Sequence, residues 1–100
     1  MKKELEDKLF NRFKMFHPER SETENLMRFG FSCGDGWFQL IWDLCEKLEK
    51  IDKELIATQV KEKYGTLRFY TSGGKEEKWE EVNAAIIEAE NLSAHTWEMC

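Results

Sequence analysis

The sequence has few of the features that mark membrane-spanning or disulfide-stabilised proteins. No apolar run approaches the roughly 20 residues needed to cross a bilayer, and no signal-peptide hydrophobic segment is present. The three cysteines, Cys33, Cys45 and Cys100, are odd in number and widely spaced, which does not suit a disulfide framework. We therefore expect a cytoplasmic protein that does not bind membranes, in which Cys45 is a small core residue.

Metal-binding motifs are also missing. The soft ligands are few and scattered: His17, Cys33, Cys45, His95 and Cys100. No C-x-x-C pair occurs, and the spacing between His95 and Cys100 fits one helical face poorly. Because a structural zinc site normally needs four ligands, the sequence predicts neither a metal nor any other cofactor.

Acidic residues outnumber basic ones, 20 Asp and Glu against 15 Lys and Arg, which gives a net charge of −5. A field of this sign repels nucleic acid and anionic membranes, so binding to either needs a local basic patch. The 100 residues, 41% of them hydrophobic, are enough to build one core. We predict a single domain over residues 1–100.

Three segments repeat apolar residues at helical spacing. The first covers residues 2–16 and should end at or before residue 17, because Pro18 disfavours helical geometry in the residue that precedes it. The second runs from Trp37 to Ile51 and has a broad apolar stripe. The third lies within residues 75–100, and its predicted inner face comprises Trp79, Val82, Ile86, Ala89 and Ser93.

The connection between the first two helices is long and lacks a sustained period. It includes one predicted helical turn near residues 24–28. Its apolar residues are expected to hold it against the core: Leu26, Met27, Phe29 and Phe31.

Residues 55–72 change to the alternating pattern of strands. Along the first strand, Ile56, Thr58 and Val60 alternate with Ala57, Gln59 and Lys61, and along the second, Leu67 and Phe69 alternate with Arg68 and Tyr70. Tyr64 and Gly65 form the predicted turn. An isolated hairpin is marginally stable in water, so its apolar face must pack against helices. The sequence thus predicts an α+β fold with three helices packed on a β-hairpin, a small antiparallel sheet, in the order α-α-β-β-α.

The stretch SCGDGW, residues 32–37, has the residue types of an active-site turn. One interpretation is a reactive Cys33 beside Asp35 at a helix N-terminus. The other is a structural turn and cap made by Gly34, Asp35, Gly36 and Trp37. In this second interpretation Asp35 caps the second helix, which contributes about 1 kcal/mol, and Trp37 is the first core residue. We favour the structural turn, because a catalytic cysteine needs a positioned base and no histidine is near in sequence.

Two sets of polar residues remain as candidates for function. Gln59, Lys61, Arg68 and Tyr70 should share the outer face of the hairpin, where they could bind a protein partner, bind nucleic acid by backbone contacts and base stacking, or form ion pairs with the Glu-rich third helix. Glu90 and His95, near the end of that helix, form either an acid–base pair or ordinary solvated residues.

The chain also resembles a group of small, largely uncharacterised phage and prophage proteins. The resemblance covers about residues 30–100 and rests on three segments: GDGWFQLIWDLCEKL, QVKEKYGTLRFYTSGG and AENLSAHTWEMC. The group's pattern is a G-[DE]-G-W opening to an apolar helix, a Q-V-K-E-K-[FY]-G-x-L-R-F-Y hairpin, and a terminal helix with A-E-x-x-S. The resemblance implies phage or prophage origin, and hence the cytoplasm of the host cell.

One departure from the group concerns zinc. Many members carry a C-x-x-C knuckle after the terminal helix, continued by further Cys and His residues, which implies zinc binding. In this chain Trp97 stands at the first of those cysteine positions, and the sequence given ends at Cys100. Half of the knuckle is therefore missing, and the resemblance implies no zinc site here.

These observations favour a non-enzymatic accessory protein that binds a host or phage macromolecule, with inhibition of a host defence system as one form of that activity. A protein partner is expected, and the four tryptophans allow either a monomer or a homodimer. The alternatives are a nucleic-acid-binding module that uses the same hairpin face, and an enzyme that depends on Cys33 or on zinc.

Overall fold

The computed structural model describes residues 1–16, 31 and 33–96. It contains α1 (Lys3–Arg12), α2 (Phe38–Ile51), β1 (Leu55–Lys63), β2 (Thr66–Gly73) and α3 (Trp79–Ser93). β1 and β2 form a two-stranded antiparallel sheet, which confirms the predicted α+β fold and its order α-α-β-β-α. None of the helices in the described ranges has the length and apolar character to span a membrane.

Some predictions fall on residues outside the described ranges. They include the helical turn near residues 24–28 and the core contacts of Leu26, Met27 and Phe29. Phe31, at the end of the same connection, is described, and it is buried in the core as predicted.

The first helix is shorter than its periodicity predicts. α1 ends at Arg12, Phe13 is extended at φ −115° and ψ 118°, and Lys14–Phe16 form a single 3₁₀ turn. In a continuous helix, Met15 would point away from the face that carries Phe13 and Phe16. The break allows all three side chains to be buried, with exposed fractions of 0%, 5% and 0% for residues 13, 15 and 16.

α2 supplies the apolar stripe around which the core is built, and its extent agrees with the prediction. A 3₁₀ turn, Asp35–Trp37, leads into it. The inward residues of this turn and of α2 are almost fully buried: Trp37, Ile41, Leu44, Cys45 and Leu48. Burial of each large apolar side chain stabilises the fold by roughly 1.5–3 kcal/mol. Aromatic rings extend this core from α1 to the sheet, because Phe16 contacts both Phe31 and Phe69 edge-on.

A β-bulge changes which residues of β1 face the core. Ala57 pairs with Thr71 and Gln59 pairs with Tyr70, so Thr58 is an extra residue without a partner. The inward set on β1 is therefore Leu55, Ala57 and Val60. Strict alternation from Val60 predicts that Ile56 and Thr58 also face the core. This prediction is wrong, because the bulge shifts the alternation by one residue. After the bulge the predicted alternation holds, with Val60 facing Phe69 on the buried side.

α3 lies against β2 and satisfies part of its free edge. Ser93 Oγ accepts a hydrogen bond of 2.8 Å from the Leu67 backbone N–H, and Glu90 Oε2 accepts one of 3.3 Å from the Phe69 N–H. The Ser93 hydroxyl in turn donates to the carbonyl of Glu90. Two backbone groups of an edge strand are thus paired with side chains of a helix, which removes sites where another chain could add a strand.

The inner face of α3 agrees with the prediction except at its first residue. Val82, Ile86, Ala89 and Ser93 are buried, whereas 53% of Trp79 is exposed. Trp79 lies in the first turn of α3, where the sheet ends, and lines a shallow pocket with Leu55, Thr71 and Val82.

Asp52 links the end of α2 to both ends of the hairpin. It is the C-terminal cap residue of α2, and only 7% of it is exposed. Its Oδ2 accepts a hydrogen bond from the Lys75 N–H (2.5 Å), and its Oδ1 accepts one from the Glu54 N–H (2.9 Å). These bonds, the Lys75 bond above all, favour the charged carboxylate and lower the pKa of Asp52 below its ordinary value.

We expect Ser93→Ala to destabilise the protein by about 1–3 kcal/mol, because the buried Leu67 N–H loses its acceptor. Urea denaturation measures the change. The matched control is Ser72→Ala, which changes an exposed serine of β2. It should change the free energy of unfolding by less than about 0.5 kcal/mol. Equal stability of the two variants would show that the Ser93 hydroxyl does not help to hold the edge of β2.

We expect Asp52→Asn to be destabilising at pH 7 by about 1–3 kcal/mol, because an amide has one oxygen and its NH2 group would face a backbone N–H donor. The pKa of Asp52 is lower in the folded protein than in the unfolded chain, where it is about 3.9, so the charged carboxylate stabilises the fold at pH values above 3.9. This contribution is lost as the pH falls through the pKa of the folded protein. The difference between wild type and variant should therefore shrink below about pH 4. Thermal unfolding between pH 2.5 and 7 measures it, with the exposed Asp43→Asn as control. A difference that stays constant over this range contradicts the assignment.

Candidate functional site

The four predicted hairpin residues lie together on the outer face of the sheet. Lys61 pairs with Arg68 and Gln59 pairs with Tyr70, so the four side chains form two adjacent cross-strand pairs. Lys63 pairs with Thr66 in the next register position, on the same face by alternation. We call this set the outer face: Gln59, Lys61, Lys63, Thr66, Arg68 and Tyr70. Lys63 is not among the predicted residues, although its spacing of two from Lys61 is the signal that places it on this face.

The cations of the outer face differ in their partners. Arg68 lies 4.0 Å from Glu90 on α3, so the predicted ion pair with the Glu-rich helix forms at this residue. Within the described part of the chain, no carboxylate lies within 4.0 Å of the Lys61 or Lys63 amine. The Lys61 amine lies 5.8 Å from the centroid of the Tyr70 ring, and 43% of Tyr70 is exposed. Two lysines and one tyrosine of the outer face therefore remain accessible to a partner.

The turn of the hairpin presents an aromatic side chain in an unfavourable backbone conformation. Tyr64 and Gly65 have φ values of +55° and +79°, the pattern of a type I′ turn, in which Asn-Gly is the preferred pair. A left-handed conformation costs a residue such as tyrosine about 1–2 kcal/mol. The Tyr64 ring is 88% exposed, so no core contact offsets this cost. The sequence predicts Tyr64 only as part of a turn, although tyrosine before glycine is itself an unusual choice there.

The GDGW segment forms a turn into α2, but Asp35 does not cap that helix. No side-chain hydrogen bond caps either the 3₁₀ turn at Asp35–Trp37 or α2. Asp35 Oδ1 instead accepts a hydrogen bond of 2.6 Å from the backbone N–H of Lys2, the residue that precedes α1. The predicted cap is wrong because this carboxylate turns towards a distant segment, and it attaches the start of α1 to the turn.

Other predicted roles of this segment agree with the structure. Trp37 is buried, and its indole Nε1–H donates a hydrogen bond of 2.8 Å to the carbonyl of Thr96, beyond the end of α3. Gly34 and Gly36 flank Asp35 at half-buried positions of the turn. The turn thus connects α1, α2 and the end of α3, an architectural role.

The thiols of the described residues are inside the protein. Only 9% of Cys33 is exposed, and it belongs to the apolar core. Cys45 is fully buried, and the loss of solvent raises the pKa of its thiol well above the usual value. A cysteine enzyme centred on Cys33 needs an accessible thiol, and this position does not supply one. His17 and Cys100 lie outside the described residues.

The structure does not bring the remaining predicted acid–base and metal residues together. Glu90 contacts β2 through Phe69 and Arg68, whereas His95 lies on an exposed part of the chain beyond α3. Among the residues that the structure describes, no group of three His, Cys, Asp or Glu side chains has the arrangement of a metal site.

Two other surface features lie outside the outer face. A groove of about 610 Å³ lies between the end of α1 and the α2–β1 junction. Lys14 and Lys53 are among the residues that line it, as are Arg12 and Glu49, which form an ion pair at 3.1 Å. On α3, Ile87 and Leu92 are about half exposed and line the same shallow surface depression.

Comparisons with known proteins give no assignment for the chain: no family model matches it, and neither a curated protein nor a solved structure is significantly similar to it. The geometry of the outer face therefore carries the functional argument.

Proposed function

We propose that the protein is a non-catalytic accessory protein of phage or prophage type that binds an acidic protein of the host or of the phage through the outer face of its hairpin. Inhibition of a host defence system is one form that this binding can take. The host cell cytoplasm is the compartment in which it would act.

The observation that supports this proposal most strongly is the difference in ion pairing among the cations of the outer face. Lys61 and Lys63 carry positive charge without a carboxylate partner among the described residues, in a chain whose net charge is −5. An ion-pairing role in the fold accounts for Arg68 but leaves both lysines unexplained. A cationic strip on an acidic molecule attracts and orients an acidic partner, because complementary potentials steer the encounter.

The scaffold under this strip suits a binding surface. The inner face of the hairpin is filled by Leu55, Ala57, Val60, Leu67 and Phe69, all of them buried. The edge of β2 is held by α3. The outer side chains therefore project from a fixed backbone, which lowers the entropy lost when a partner binds.

A nucleic-acid-binding module is the second candidate. The half-exposed Tyr70 ring beside the Lys61 amine is the observation that favours it, since basic and aromatic side chains on a sheet can contact phosphates and stack on bases. The net charge of −5 opposes a polyanion as partner, and for this reason we place an acidic protein first.

We expect the double variant Lys61→Glu/Lys63→Glu to weaken partner binding at least about tenfold while leaving the fold intact, because neither lysine has an ion pair to lose. Arg68 is left unchanged, because it lies 4.0 Å from Glu90 and a glutamate in its place would replace this ion pair with two like charges. The partner is isolated by affinity capture from infected or lysogenic cells and identified by mass spectrometry. Its affinity is then measured with purified proteins.

The control is Lys3→Glu/Lys8→Glu, which makes the same charge change on exposed positions of α1. Wild type and control should bind equally. Equal binding by the hairpin variant, with an unchanged melting temperature, would remove the outer face from consideration. Tight binding to 20-nucleotide single- or double-stranded probes at low salt, weakening steeply as salt is added, would transfer the assignment to the second candidate.

A further inference from the structure

One aromatic residue at the tip of the hairpin has a strained backbone and is almost fully exposed. Tyr64 has a φ of +55° and is 88% exposed, so neither backbone preference nor burial accounts for a tyrosine at this position. Strained conformations that fold stability does not explain are concentrated at functional sites. A tyrosine here is therefore better explained by a contact with another molecule than by the fold.

Two side-chain contacts fix the backbone on both sides of Tyr64. Glu62 Oε2 accepts a hydrogen bond of 2.6 Å from the Gly65 N–H, and the Thr66 hydroxyl donates one of 3.0 Å to the carbonyl of Lys63. With the two-residue turn, these bonds fix the backbone from which the Tyr64 side chain projects at the end of the hairpin. A tyrosine side chain has only two side-chain dihedral angles and so loses little conformational freedom on binding, which is one reason why tyrosine is frequent among the residues that dominate interface energies.

The surroundings of the ring indicate the chemistry of its partner. The Lys63 amine lies 5.6 Å from the centroid of the Tyr64 ring, and Lys61 follows on the same face of the strand. No carboxylate of the described residues lies within 4.0 Å of either amine. The complementary surface is therefore a shallow apolar slot for one ring with acidic groups at its border.

We propose that Tyr64 is the anchor of the binding surface and inserts into an apolar slot that is bordered by carboxylates on an acidic partner protein. This inference rests on the proposed function and deepens it. It assigns most of the affinity to Tyr64 and gives the lysines the role of orienting the partner.

The test uses a defined probe, because the natural partner is unidentified. A library of random 15-residue peptides is selected on the immobilised wild-type protein, and the enriched peptides are synthesised with a fluorophore for anisotropy measurements. The expected peptides are acidic and contain at least one aromatic or large aliphatic residue. Enrichment of peptides that are basic, or that lack either feature, overturns the proposal, as does a selection that enriches nothing.

Variants at Tyr64 separate binding from stability. Tyr64→Asn should weaken peptide binding by about 30-fold. It should also raise the melting temperature, by about 4 °C, because asparagine tolerates the left-handed conformation. Tyr64→Phe keeps the ring and the strain, and should retain binding within about threefold. A lower melting temperature in Tyr64→Asn would make the residue structural and overturn the inference.

The outcomes also distinguish this inference from the proposed function. If Lys61→Glu/Lys63→Glu abolishes binding and Tyr64→Asn does not, the outer face stands as the site and Tyr64 is not its anchor. If neither variant changes the affinity, both the site and the anchor are wrong. Displacement of the bound peptides by a 20-nucleotide oligothymidylate at equal concentration would make nucleic acid the ligand of this surface and overturn the inference.

Discussion

The contact between α3 and the free edge of β2 is the interaction on which the rest of the structure depends. A two-stranded sheet has unpaired backbone groups along both strands and is marginally stable alone. Here Ser93 and Glu90 accept the Leu67 and Phe69 N–H groups, so the sheet is attached to a helix along one edge. With this edge held, the apolar face of the sheet is directed into the core and the polar face is directed outwards.

The same helix determines which charges remain available on that polar face. Glu90 contributes one oxygen to the edge of β2 and lies within 4.0 Å of Arg68 through the other. One cation of the outer face is thus neutralised by the fold, and the two lysines are not. The bulge at Thr58 contributes in a different way, because it restores Val60 to the core and thereby places Gln59, Lys61 and Lys63 on the outside.

The elements of this fold could be predicted from the sequence, but several contacts between them could not. Helical spacing located α2 and α3, and alternation located the hairpin and its turn, because these signals are local in sequence. The bulge has no signal of this kind in the sequence, because threonine occurs on both the buried and the exposed face of strands and Thr58 therefore does not mark a break in the alternation. The partners of Asp35 and Ser93 depend on how distant segments meet: Asp35 contacts a residue 33 positions away and Ser93 one 26 positions away. For Asp35, the local rule for helix capping gave the wrong partner.

Amide hydrogen exchange at Leu67 and Phe69, followed by NMR, tests the central claim most directly. If α3 holds the edge of β2, these two amides are protected by several orders of magnitude, although neither donates to another strand. Exchange of both amides at the rates of an unstructured peptide would show that the edge is open. The hairpin would then not be held against α3, and its outer face would not be a fixed surface.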